Sequence, residues 1–142
     1  MNLEAGLESR VRLSVKFEDL ALHWGSDMPV LSTPSLVGHM EQACVRVTAG
    51  YLPEGSTTVG TGVEVVHISP TPESFQFEIL AHLSKVDGKK LTFHVEVHDE
   101  FGLISTGTLH RAIVEKASFL SKVCRKMRSQ ESMTLNRIRV IR

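Results

Sequence analysis

One segment of this chain, residues 33–49, has the period of a helix, and it lies among five stretches with the period of a strand. Its apolar arc at 100° per residue is Leu36, Val37, Met40, Ala43, Cys44 and Val47, with Ser35, His39, Gln42 and Arg46 opposite. Thr33-Pro34 supplies a favoured N-cap and first helical residue, and Gly50 a stop. The helix therefore has one apolar side and must lay it on a sheet.

The sheet is equally legible. Residues 11–17 alternate Val11, Leu13, Val15 and Phe17 with polar neighbours. After the turn-rich segment that follows Tyr51, alternating runs cover 58–69, 74–86, 90–98 and 103–114, separated by Pro-Thr-Pro, Asp-Gly-Lys and Glu-Phe-Gly turns. Residues 18–32, around Trp24, carry no sustained period and read as a loop or lid with a short helical turn. Residues 115–128 have helical composition, with apolar positions 117, 120, 123, 124 and 127. The predicted fold is α+β: one long helix wrapped by a five-stranded antiparallel sheet, with a C-terminal helix, the hotdog arrangement. One helix cannot cover such a sheet's faces and edges, so a homodimer or higher homo-oligomer is expected.

At 142 residues the chain suffices for one domain, expected over 1–128, with 129–142 as a basic, flexible tail. The zero net charge hides an asymmetry. Residues 121–142 carry seven Lys/Arg against Glu131 alone, leaving the rest near −6. The basic charges are scattered with no aromatic residues between them for base stacking, which argues against a nucleic-acid partner. No apolar run reaches the roughly 18 residues of a membrane span, and the N-terminal segment lacks signal-peptide order, so a cytoplasmic protein without membrane attachment is expected. Cys44 and Cys124 have no metal spacing and are expected as free thiols. His94 and His98, on one strand face, would lie roughly 13 Å apart, too far to share a zinc. Neither a metal nor a cofactor is expected.

Three residues are out of place. Glu41 falls on the helix's apolar side, the setting of a general base or orienting carboxylate, or of a helix-edge acid paired to a cation. His67 shares a strand face with Val59, Thr61, Val63 and Val65, as either an inward core histidine or a proton carrier. Thr33 reads as a cap accepting from the Leu36 N–H, at a helix end that also favours developing negative charge. Gly60 and Gly62 interrupt a strand and suggest a bulge, a close approach to a ligand, or simple irregularity.

The segment TPSLVGHMEQACVRVTA at 33–49 resembles the fluoroacetyl-CoA thioesterase family and its bacterial hotdog relatives. The likeness continues through Tyr51-Leu52, Gly60-Thr61, Val66-His67, Thr71-Pro72, Val86-Asp87-Gly88 and Gly107-Thr108 to Arg111–Val114, spanning about residues 30–125. It implies an acyl-CoA thioesterase with a Thr/Glu/His catalytic group at Thr33, Glu41 and His67, Gly60 near the thioester, and Arg111 as a binding or supporting residue. Trp24 of the lid joins the expected substrate-binding set. The lid departs from the family's aromatic pattern at Asp27 and Met28, so a small acyl-CoA is implied without the acyl group being fixed. The rival expectation is a non-catalytic acyl-CoA-binding hotdog protein. Hydratase chemistry is disfavoured because an Asp-x-x-x-x-His pattern is missing.

Overall fold

A computed structural model describes residues 3–141, and the side chains through residue 138. Strand β1 (Glu8–Ser14) precedes helix α1 (Thr33–Thr48), and four strands follow: β2 (Ser56–His67), β3 (Gln76–Asp87), β4 (Lys90–Asp99) and β5 (Gly102–Glu115). Helix α2 (Lys116–Ile141) closes the chain. All strand pairs are antiparallel, in the order β1-β3-β4-β5-β2. The α+β hotdog fold expected from the sequence is the fold observed.

The core forms where α1 crosses the inner face of the sheet. Leu36, Met40, Ala43, Cys44 and Val47 of α1 are buried with Phe77, Ile79, Ala81 and Leu83 of β3, Leu91, Phe93, Val95 and Val97 of β4, and Leu109 of β5. Alternate residues of these strands face inward, as the pleat requires. Helix and sheet approach closely at Gly107, where a Cβ would lie 3.1 Å from Met40 Cε and 2.8 Å from Val65 Cγ2 of the neighbouring strand. Only glycine lets the helix settle this deeply.

Several details differ from those expected. β1 ends at Ser14, and Phe17 sits exposed in a 3-10 turn (Phe17–Asp19), because Val15 already turns into the core as the chain leaves the sheet. The cap of α1 is Ser32, not Thr33: its side chain accepts from the Ser35 N–H at 3.1 Å, and Thr33 begins the helix. The glycine-flanked bulge is present between Gly60 and Gly62, and the extra residue reverses strand parity. Val59 and Thr61 therefore lie on the opposite face from Val63, Val65 and His67. Finally, α2 runs to Ile141 rather than ending near residue 128, with Leu120, Val123 and Met127 exposed along it. Of the tail's basic residues, the Arg139 side chain and Arg142 lie outside the described residues.

Among the described residues no helix is long and apolar enough to cross a membrane, and no group of three His, Cys, Asp or Glu is arranged to hold a metal ion.

Candidate active site

Because Ser32 takes the capping role, the Thr33 hydroxyl is released from the backbone. It lies 2.9 Å from His67 Nδ1, joining the start of α1 to the last residue of β2. His67 is half-buried, and Nε2 is buried without a partner in the chain. Burial lowers the imidazole pKa from its ordinary 6.5, opposed by a hydrogen bond with the Ser69 backbone. A shallow depression of about 240 Å³ opens over the pair, lined by Val30, Leu31, Thr33, His67, Ile68, Ser69 and Pro70.

The lid reaches this depression from the other side. It consists of the Phe17–Asp19 turn, a second 3-10 turn (Ala21–Trp24), and single bridges joining Leu20 to Leu31 and Val30 to Pro72. Trp24 is 61% exposed and donates from Nε1 to Ser35 Oγ at 3.4 Å, beside the helix start. Buried Asp19 lies 2.8 Å from His39 Nε2, pinning the lid to α1. His39 is thus an anchor rather than a member of a free polar face.

Glu41 belongs to a second group. Its Oε2 accepts from Arg111 Nη1 at 2.6 Å, and Arg111, buried on β5, also donates from Nε to Thr58 Oγ1 and from Nη2 to the Thr58 carbonyl, both at 3.0 Å. Three fixed contacts orient the guanidinium, and it orients the carboxylate. The other oxygen, Oε1, is buried and unpartnered. Cys44 lies beneath, its thiol pushed up to about 12 by burial and then by the charge of Glu41, with Arg111 opposing. Gly60 makes this arrangement possible: a Cβ there would sit 2.5 Å from Glu41 Oε2.

One chain therefore brings Thr33 to His67, and Glu41 to Arg111 and Gly60, but keeps the two groups apart. Eight helical residues separate Thr33 from Glu41 by roughly 12 Å. Seven strand residues separate Gly60 from His67 by roughly 20 Å.

Residues 15–117 match the model of a family described as fluoroacetyl-CoA-specific thioesterase. The chain belongs to this family. It is accordingly a thioester hydrolase, in agreement with the resemblance at 33–49. The curated fluoroacetyl-CoA thioesterase of Streptantibioticus cattleyicolor is 38% identical over 97 residues, covering 68% of this chain and 70% of the relative. A solved structure of a fluoroacetyl-CoA thioesterase has a TM-score of 0.82 at 32% identity, covering 89% of this chain and 98% of the other. A threonine-to-serine mutant of such an enzyme, solved with acetyl-CoA, has a TM-score of 0.81 at 30% identity, covering 87% and 98%.

Within this thioesterase, sequence reasoning missed the residues that support the candidate site. Thr58 behind Arg111 is an ordinary strand threonine until the bulge turns it inward. Asp19 sits in a segment without period, so no pattern marks its burial. Ser32 was detectable, since Ser and Thr are adjacent and either can cap.

Proposed function

We propose that the chain hydrolyses small acyl-CoA thioesters, and that Thr33, His67 and Glu41 act together when two copies pair along β2. The observation that carries this reading is the pair of buried, unpartnered atoms, His67 Nε2 and Glu41 Oε1. A buried polar atom without a partner is costly, and these two are a donor and an acceptor.

β2 is an edge strand of twelve residues with no Lys, Arg or Pro to blunt it, and Val63 and Val66 are exposed on it. Such an edge is a template for a further strand. Antiparallel pairing of two β2 edges about a dyad between Val63 and Glu64 sets Gly60, and with it Glu41, beside the partner subunit's His67. Each orphaned atom then meets its complement, and two equivalent sites form.

In such a site neutral His67 accepts the Thr33 proton at Nδ1 and donates from Nε2 to Glu41. Thr33 Oγ1 attacks the thioester carbonyl while its proton passes to His67. The C–S bond breaks, the CoA sulfur takes that proton, and water releases the acid from Thr33 by the same base. In this site the N–H groups at the start of α1 and the backbone of the partner subunit's Gly60 hold the oxyanion. Arg111 holds the carboxylate, and Trp24 borders the acyl group. A relative solved with acetyl-CoA supports a small acyl chain.

Steady-state hydrolysis across short acyl-CoAs tests the reading, alongside the mass of the species by sedimentation. Turnover by a dimer is expected, with Glu41→Gln and His67→Ala each losing about a thousandfold in kcat. Acyl-CoA bound without cleavage would make the protein a binding module. Rapid-quench turnover in which no acyl group is ever trapped on Thr33 would replace the nucleophile by activated water.

A further inference from the structure

Helix α2 is left unused by the catalytic reading, and it lies almost wholly beyond the residues that match the family. Every described side chain along it, from Lys116 to Ile138, is exposed. Helices in folded proteins draw most of their stability from packing an amphipathic face, and here one chain leaves that face to water. The face is well defined. At 100° per residue, Leu120, Val123, Cys124, Met127, Leu135 and Ile138 share an arc of about 120°, interrupted by Glu131.

The basic residues that are scattered in the sequence fall into order on this helix. Arg128 lies along one rim of the apolar arc, Lys126 and Arg137 along the other, and Lys122 and Arg125 on the far side, with Glu131 the single acid of the helix. A second α2 is a poor cover for the arc, because pairing two such helices sets like-charged rims together where a coiled coil places opposite charges. In the dimer proposed above the two helices also begin roughly 50 Å apart, since Glu115 pairs with Ser56, roughly 25 Å along β2 from the dyad. An anionic lipid surface meets both needs: its headgroups neutralise the rims while the apolar residues enter the acyl boundary. The acidic remainder of the chain is repelled by such a surface, which leaves α2 as the side that faces it.

We infer that α2 lies flat on anionic lipid, with Leu120, Met127 and Ile138 toward the acyl chains and Lys126, Arg128 and Arg137 reaching the headgroup phosphates. The sequence set membrane attachment aside because no apolar run is long enough to span a bilayer, and no described helix does so. A helix lying in the surface plane needs no span. Glu131 keeps the contact shallow, because a carboxylate is costly to carry into the acyl region. Binding is therefore peripheral, reversible and sensitive to salt. It does not rest on the catalytic reading.

The test is cosedimentation of the full chain with vesicles of phosphatidylglycerol and, separately, of phosphatidylcholine. Binding to the first and not the second is expected, with release at about 1 M salt, where the Debye length is about 3 Å. Two triple variants separate the contributions: Lys126→Glu/Arg128→Glu/Arg137→Glu, and Leu120→Gln/Met127→Gln/Ile138→Gln. Each is expected to weaken partitioning about tenfold or more, with the melting temperature unchanged because all six side chains are exposed. Circular dichroism shows whether α2 persists in them. Glu131→Gln, which keeps a good helix former in place, should tighten binding. No binding to phosphatidylglycerol, or equal binding to the neutral vesicles, overturns the inference. So does a species heavier than a dimer that the glutamine triple variant dissolves, which makes a second copy the cover. Duplex DNA that displaces the vesicles and still binds the glutamine triple variant overturns it in favour of a nucleic acid.

Discussion

His67 sits between water and protein, and its burial favours the neutral ring. A histidine whose folded pKa is depressed adds stability above the unfolded value of about 6.5, and that stability is lost as pH falls through the folded pKa. Wild type is therefore expected to lose more melting temperature than His67→Gln on acidification below about pH 6.5, read from thermal melts across pH. If His67 is the base, the acid limb of kcat/KM falls below 6.5 as well, because the neutral form persists there. Gly60 offers a sharper test. Its missing Cβ is the space occupied by Glu41 Oε2, so Gly60→Ala must push the carboxylate aside. A displacement of about 1 Å costs roughly a hundredfold in kcat, measured beside a melting temperature lowered by only a few degrees.

At the scale of elements, the start of α1 carries two functions on adjacent residues. Ser32 caps the helix and Thr33 turns to His67. Ser32→Ala is expected to cost about 1 kcal/mol, or about 3 °C in melting temperature, while Thr33→Ala leaves the cap intact and shows its effect in turnover. This division also explains what the sequence could and could not disclose. The apolar arc of α1 and the alternation of the strands are periodic signals, so the elements and their order were readable, and Glu41 stood out because it broke the arc. The choice between Ser32 and Thr33 depended on one hydroxyl's direction, and the face of Thr61 on a one-residue bulge. Neither leaves a trace in hydrophobic period. His39 was misread for the same reason, since its partner Asp19 comes from a segment with no period. The separation of Glu41 from His67 lay beyond reach too, because it depends on where α1 crosses the sheet.

The whole molecule is defined by its open edge. In the proposed dimer each site takes Thr33 and His67 from one chain and Glu41 from the other, so two inactive variants can complement. Mixing Thr33→Ala with Glu41→Gln and allowing subunits to exchange should restore about a quarter of wild-type activity, since half the dimers are mixed and each holds one intact site. No recovery in the mixture would return all three residues to a single chain. The two thiols bear on how such assays are read. Cys44 is buried beneath Glu41 with its thiol pushed up to about 12, so it is inert to thiol reagents at neutral pH. Cys124 stands exposed on α2. A chromogenic count of the sulfhydryl released with CoA thus starts from a fixed background of one equivalent per subunit, and a fluorophore added to the native protein marks a single address on its last helix.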